Sequence, residues 1–144
     1  MEFRLPWVET FCVVKLDLER GLMVERSYPE NALSREDLMS VAMLSFPEST
    51  GSNQDESQTF FFRVRLNQAK SSLKATSKQF LFGFSHYIQR KDPSNARGYF
   101  QKAFVILTKY YFSLFYHNLV FIMGSAYFKS EDPSFLQVLS LFHY

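Results

Sequence analysis

At 144 residues, 47% hydrophobic and 21% charged, the chain suits one globular domain with a core of its own, and its composition excludes a disordered polymer. Sixteen basic and 14 acidic residues give a net charge of +2 with no block of like charge, which excludes nucleic acid as a partner because no basic stripe is available to neutralise a phosphate backbone. The single cysteine, Cys12, excludes an intramolecular disulfide, and Glu2 and Glu9 bracket too short an apolar stretch for a secretory signal, so the chain reads as cytosolic.

Residues 8–18 carry Phe11, Cys12, Val13, Val14, Leu16 and Leu18 with few polar interruptions, which predicts a strand buried on both faces. Gly21, suited to positive φ, turns it into a second, more amphipathic strand over 22–28 that Pro29 closes, giving a β-hairpin whose second strand lies nearer an edge. Ser34 then reads as a helix N-cap, with Glu36 and Asp37 in the first turn and Leu33 placed to staple against Leu38. Leu38, Val41 and Ala42 recur at helical spacing, and Met39, Met43 and Leu44 widen the apolar face until Phe46-Pro47 ends the helix.

A polar loop over 48–57 leads to a half-exposed strand over 59–66, with Phe60, Phe62, Val64 and Leu66 on one face and Phe61, Arg63 and Arg65 on the other. A second polar, Ser-rich loop covers 67–79. Phe80, Phe82, Phe84, His86 and Ile88 alternate along the fourth strand, where Gly83 permits a bulge or a close approach. The turn cluster over 91–97 joins it as a hairpin to a fifth strand over 97–108, whose continuous Val105-Ile106-Leu107 run marks it as central to the sheet.

After Thr108 the periodicity becomes helical, and Phe112, Phe115, Leu119, Ile122 and Ala126 form the expected inner stripe of a helix over 110–128. A last helix is expected from the Asp132-Pro133 start, with Phe135, Leu136, Leu139 and Phe142 inward. It reaches Tyr144 without a capping signal, as if a longer protein continued there. The predicted class is α+β: a five-stranded antiparallel sheet flanked by helices, in the order β-β-α-β-β-β-α-α.

Chemistry is sparse. The uncharged run over 110–128 reads as a helix on the sheet or as a membrane-contacting segment, and its Ser113, His117, Asn118 and tyrosines favour the sheet and argue against a transmembrane span. His86, His117 and His143 lack metal-ligand spacing, Cys12 sits as a small core residue in a buried strand, and no glycine is followed by the Lys-Ser/Thr of a phosphate loop. Neither metal nor cofactor nor catalytic residue is therefore expected. Phe61, Arg63 and Arg65 read either as an ordinary solvated strand face or as an interaction patch. With 17 Phe, eight Tyr and one Trp, the chain holds more aromatic surface than its own core takes up, which predicts a partner.

The element order is similar to that of the longin fold. Several motifs add to it: Asp17-Leu18-Glu19-Arg20-Gly21 before Val24-Glu25 and Tyr28-Pro29, then Leu44-Ser45-Phe46-Pro47-Glu48-Ser49, then Phe60-Phe61-Phe62-Arg63-Val64, and most specifically Arg97-Gly98-Tyr99-Phe100-Gln101-Lys102. These resemble the N-terminal portion of DENN-domain proteins, first the DENN domain-containing protein 6 group and next the Avl9-type group. The fourth strand, Phe82-Gly83-Phe84-Ser85-His86-Tyr87, departs from the usual Gly-Tyr-rich form. The resemblance implies one upstream-DENN, longin-like module over residues 1–144, ending before a central DENN lobe. It implies a non-catalytic lobe of a Rab guanine-nucleotide exchange factor in vesicle trafficking, inactive or weak alone, cytoplasmic with peripheral, endosomal membrane association. The alternative is a longin-like adaptor that assembles proteins without exchange activity, and exposed apolar surface would also allow self-association. The matched motifs are structural, and any GTPase contact within the last of them is expected from Arg97 or Lys102.

Overall fold

The computed structural model describes residues 7–48, 55–67 and 79–130. Its strands are β1 (Thr10–Asp17), β2 (Gly21–Tyr28), β3 (Glu56–Arg65), β4 (Phe80–Lys91) and β5 (Tyr99–Thr108), with helices α1 (Arg35–Leu44) and α2 (Ser113–Ser130). All pairings are antiparallel, in the order β2-β1-β5-β4-β3, so β5 occupies the middle and β2 and β3 the edges. This is the α+β arrangement of a longin-like module. The terminal helix expected after Asp132 and most of the loop over 67–79 lie outside the described residues.

Side chains alternate across the sheet between two cores, as the two-residue repeat of a strand requires. Under α1 lie Cys12, Val14, Phe62, Val64, Leu81, Tyr87, Ala103, Val105 and Leu107; under α2 lie Phe11, Val13, Phe84, Phe104 and Ile106. Burial on both faces explains the unbroken apolar runs of β1 and β5. Gly21 adopts φ +81° in the first hairpin, and Leu18, expected within a buried strand, sits exposed in that turn. Glu25 bulges from β2 where the register shifts between Val13 and Val14, and its carboxylate reaches Lys102 Nζ at 3.3 Å.

Ser34 caps α1 through its Oγ, which accepts from Asp37 N. Asp37 does more than face the helix dipole: its buried carboxylate accepts from Asn67 N at 2.9 Å and ties the helix start to the end of β3. At the other end Ser85 Oγ donates to the Ser45 carbonyl at 2.7 Å, fastening the C-cap to β4. Met39, Met43 and Leu44, expected to widen the buried face, are exposed instead. Pinned at both ends, α1 can turn only the narrow stripe of Val41 and Ala42 fully inward. Residues 56 and 57, expected in a loop, extend β3, because its polar start pairs in register with Gln89 and Ile88.

The largest correction concerns α2. Its buried residues are Tyr116, Val120, Met123, Gly124 and Tyr127, whereas Phe112, Phe115 and Ile122 of the expected inner stripe are exposed. This helix is apolar almost all round, so periodicity offers no unique face and the sheet selects one. Gly124 allows the closest approach, since a Cβ there would lie 3.0 Å from His86 Cβ and 3.2 Å from Phe104 Cβ. Tyr116 also finds partners for its hydroxyl, the Trp7 carbonyl at 2.5 Å and Thr108 Oγ1 at 3.0 Å. Phe115 has no polar atom to satisfy and loses that competition.

Candidate interaction surface

The residues singled out in sequence fall at two separate places. Arg97-Gly98-Tyr99-Phe100-Gln101-Lys102 runs from the β4–β5 turn into β5. Asp92 Oδ1 accepts from Ser94 N and Ser94 Oγ, and Asn95 Oδ1 accepts from Arg97 N, so two side chains fold the turn. Gly98 holds φ +82° as its N–H reaches the Asn95 carbonyl. Tyr99 and Phe100 are half-buried. Gln101 is buried, and its Nε2 donates to Tyr87 Oη at 2.7 Å and Gln89 Oε1 at 3.0 Å, while Tyr87 Oη donates to the same Gln89 oxygen. Lys102 is paired with Glu25, which leaves Arg97 as the exposed cation of the motif. The segment closes a hairpin and satisfies a buried polar triangle.

The Phe61, Arg63 and Arg65 patch lies on the α2 side of β3, an edge strand. Phe61 is 52% exposed and meets Tyr111 edge-on at 5.3 Å, and Phe82 packs on the same Tyr111 at 5.0 Å. The Arg63 guanidinium lies 4.9 Å from the centroid of the Phe80 ring. Tyr111, Phe80 and Phe82 come from residues 15 or more positions away and complete a surface that β3 alone only begins. Sequence reasoning missed these three. The signal for Tyr111 was its place in the uncharged aromatic run before α2.

Beyond Tyr111 the outward face of α2 continues the apolar surface with Leu114 at 75% exposed and Ile122 at 63%. No helix among the described residues is long and apolar enough to cross a membrane. On the opposite side of the sheet, Met43, Leu44, Phe46 and Phe60 border an open groove of about 530 Å³ between α1 and β3. Reactive chemistry is suppressed by burial: the Cys12 thiol is pushed up to about 12 and stays protonated, and the buried His86 imidazole is held below its ordinary range, chiefly by desolvation and then by Arg90. Among the described residues no group of three or more His, Cys, Asp or Glu is arranged to hold a metal.

Residues 8–144 match the family model described as transport protein Avl9. The chain belongs to the Avl9 family. It is similar to the Dictyostelium discoideum protein DENND6 homolog, 31% identical over 122 residues that cover 85% of this chain and 16% of the relative. Human protein DENND6B is 31% identical over 150 aligned positions, covering 93% of this chain and 26% of the relative, and mouse protein DENND6A is 29% identical, covering 88% and 24%. The chain thus spans about a quarter or less of the length of these relatives. Both groups named by the motifs, the DENN domain-containing protein 6 group and the Avl9 type, are the ones the comparisons find. The Avl9 match takes in β1 through α2 and so includes both the Gln101 triangle and the aromatic–arginine surface.

Proposed function

We propose that this chain is the longin lobe of a DENN-type guanine-nucleotide exchange factor for a Rab GTPase, acting in vesicle trafficking and contributing binding surface without covalent chemistry. The observation that carries this reading is the Avl9-family match over residues 8–144, beside relatives named DENND6. Exchange requires no nucleophile or metal. It requires a surface that binds the nucleotide-poor GTPase more tightly than the nucleotide-bound one, and moving such an equilibrium from 1:99 to 99:1 takes roughly 10⁴-fold differential affinity. A lobe with its thiol protonated and its histidine neutral, but with two kinds of exposed aromatic surface, suits that task.

On this reading the exposed apolar residues of α2, Leu114, Phe115, Phe121 and Ile122, pack against a larger central lobe, since permanent interfaces resemble a divided core. The aromatic–arginine surface is left for a partner that comes and goes. Cytoplasmic placement with peripheral, endosomal membrane association belongs to the same proposal. A second reading, an assembly adaptor without exchange activity, draws on that same exposed apolar surface.

The test is release of fluorescent mant-GDP from a panel of Rab GTPases, by this chain and by the full-length polypeptide carrying it. Acceleration by the full-length polypeptide, with little or none by the isolated lobe, is expected. No acceleration by the full-length polypeptide on any member overturns the exchange reading and leaves the adaptor.

A further inference from the structure

We infer that the surface built by Phe61, Arg63, Arg65, Phe80 and Tyr111 docks a protein face that presents an apolar centre flanked by two carboxylates, and that this face belongs to the GTPase. The inference rests on the exchange-factor reading and adds the location and chemistry of the contact.

Three observations carry it. Arg63 and Arg65 alternate with Phe61 on one face of β3, so their attachment points stand about 7 Å apart, twice the strand rise. Among the described residues neither arginine forms an ion pair: the three pairs present are Lys15 with Asp17, Lys102 with Glu25 and Lys109 with Glu9. Among the described residues the surroundings offer no anion either: α2 contains no acidic residue and the alternate β3 positions Ser57, Thr59 and Phe61 are uncharged. Among the described residues no countercharge stands by, and an anionic partner fits the pair.

The geometry also discriminates between partners. Stacking on Phe80 holds the Arg63 guanidinium in place before binding, which lowers the ordering cost of a bidentate carboxylate contact. Aromatic residues with arginine, and no lysine among them, are the composition of a protein interface core. An anionic lipid surface is met instead by clusters of four to eight Lys and Arg, and this patch has two among the described residues. The outer face of α2, where Leu114, Phe115, Phe121 and Ile122 are exposed, suits a permanent contact with the rest of the polypeptide, whereas paired charges suit selective, reversible recognition.

The test compares the full-length polypeptide carrying Arg63→Glu/Arg65→Glu, Arg63→Lys/Arg65→Lys or Phe61→Ser with the parent, against the GTPase whose mant-GDP release the parent accelerates. Both arginines and Phe61 are exposed, so thermal midpoints should match the parent's. Charge reversal should weaken binding to the nucleotide-free GTPase by about 100-fold and the lysine pair by about tenfold, since each tenfold is one well-placed charged contact. Reversing the facing GTPase carboxylates to lysine should restore binding to the Glu variant. Unchanged binding and exchange would overturn the inference while leaving the exchange-factor reading intact. So would loss of contact between lobes, seen by limited proteolysis, without loss of GTPase affinity. Vesicles of phosphatidylcholine with 30% phosphatidylserine that bind the parent but not the Glu variant would overturn it in favour of lipid. If the parent accelerates no GTPase, the exchange-factor reading falls first and this inference falls with it.

Discussion

Gly83 illustrates how much one residue can carry. Its lack of a side chain in mid-strand announces a close approach, and Phe62, its partner across β3 and β4, lays its ring on the vacant site, where a Cβ would lie 2.2 Å from Cζ. Which residue approaches was not legible, because cross-strand register is set by pairing over 20 positions. Gly83→Ala must expel that ring from a core position. We expect it to lower stability by about 2 kcal/mol, read from the urea midpoint. His86 supports a second prediction. Its Nδ1 lies 2.9 Å from Thr59 Oγ1, its ring sits edge-on to Phe121, and burial with the nearby Arg90 keeps the imidazole neutral, below its ordinary value of 6.5. The unfolded chain therefore binds the proton more readily. The stability contributed by the neutral form is complete above about pH 6.5 and is lost as pH falls through the lower folded value. Urea midpoints at pH 7.5 and 5.5 should differ for the parent and differ less for His86→Gln.

The elements were legible wherever a local signal acts alone. Ser34 capping α1, Gly21 at positive φ, Pro47 after α1 and the alternation of β3 are short-range chemistry, and each appears where its residues place it. Helix orientation was not legible. The outward turn of Met39, Met43 and Ile122 is decided by what the sheet offers beneath, namely Ser85 for the Ser45 carbonyl and the His86–Phe104 floor for Gly124. A pair of substitutions separates the two orientations of α2. Val120→Asp places a charge in the core and should leave the chain unfolded at 25 °C, whereas Ile122→Gln, on the outer face, should move the thermal midpoint by no more than 1–2 °C. Circular dichroism melts of both variants check this.

For the whole molecule, the consequence of 18% aromatic residues is a surface that the described residues do not cover. Tyr111, Leu114, Phe121 and Ile122 are all exposed, and this much apolar surface is unfavourable in water. The isolated chain should self-associate as its concentration rises and should bind a hydrophobic dye. Phe121→Gln/Ile122→Gln should return it toward the monomer in light scattering. A strict monomer without dye binding would count against an apolar docking face on α2. The partner excess was readable from composition, but the candidate surface was only half readable: Phe61, Arg63 and Arg65 share a strand face by simple alternation, while Phe80, Phe82 and Tyr111 join them through pairing and the path of the chain into α2.

By itself the sequence determined the α+β class, the order of the described elements, the central place of β5, the edge character of β2, the half-exposure of β3, and the Avl9 kinship, because strand alternation, caps, turns and motifs are encoded within a few neighbouring residues. Only the tertiary structure decided which side of α2 is inward, that Lys102 pairs with Glu25, and that Arg63 and Arg65 stand beside an aromatic cluster without an ion pair among the described residues. Those outcomes depend on competition among distant groups for the same space and the same charge, and no local pattern records who wins.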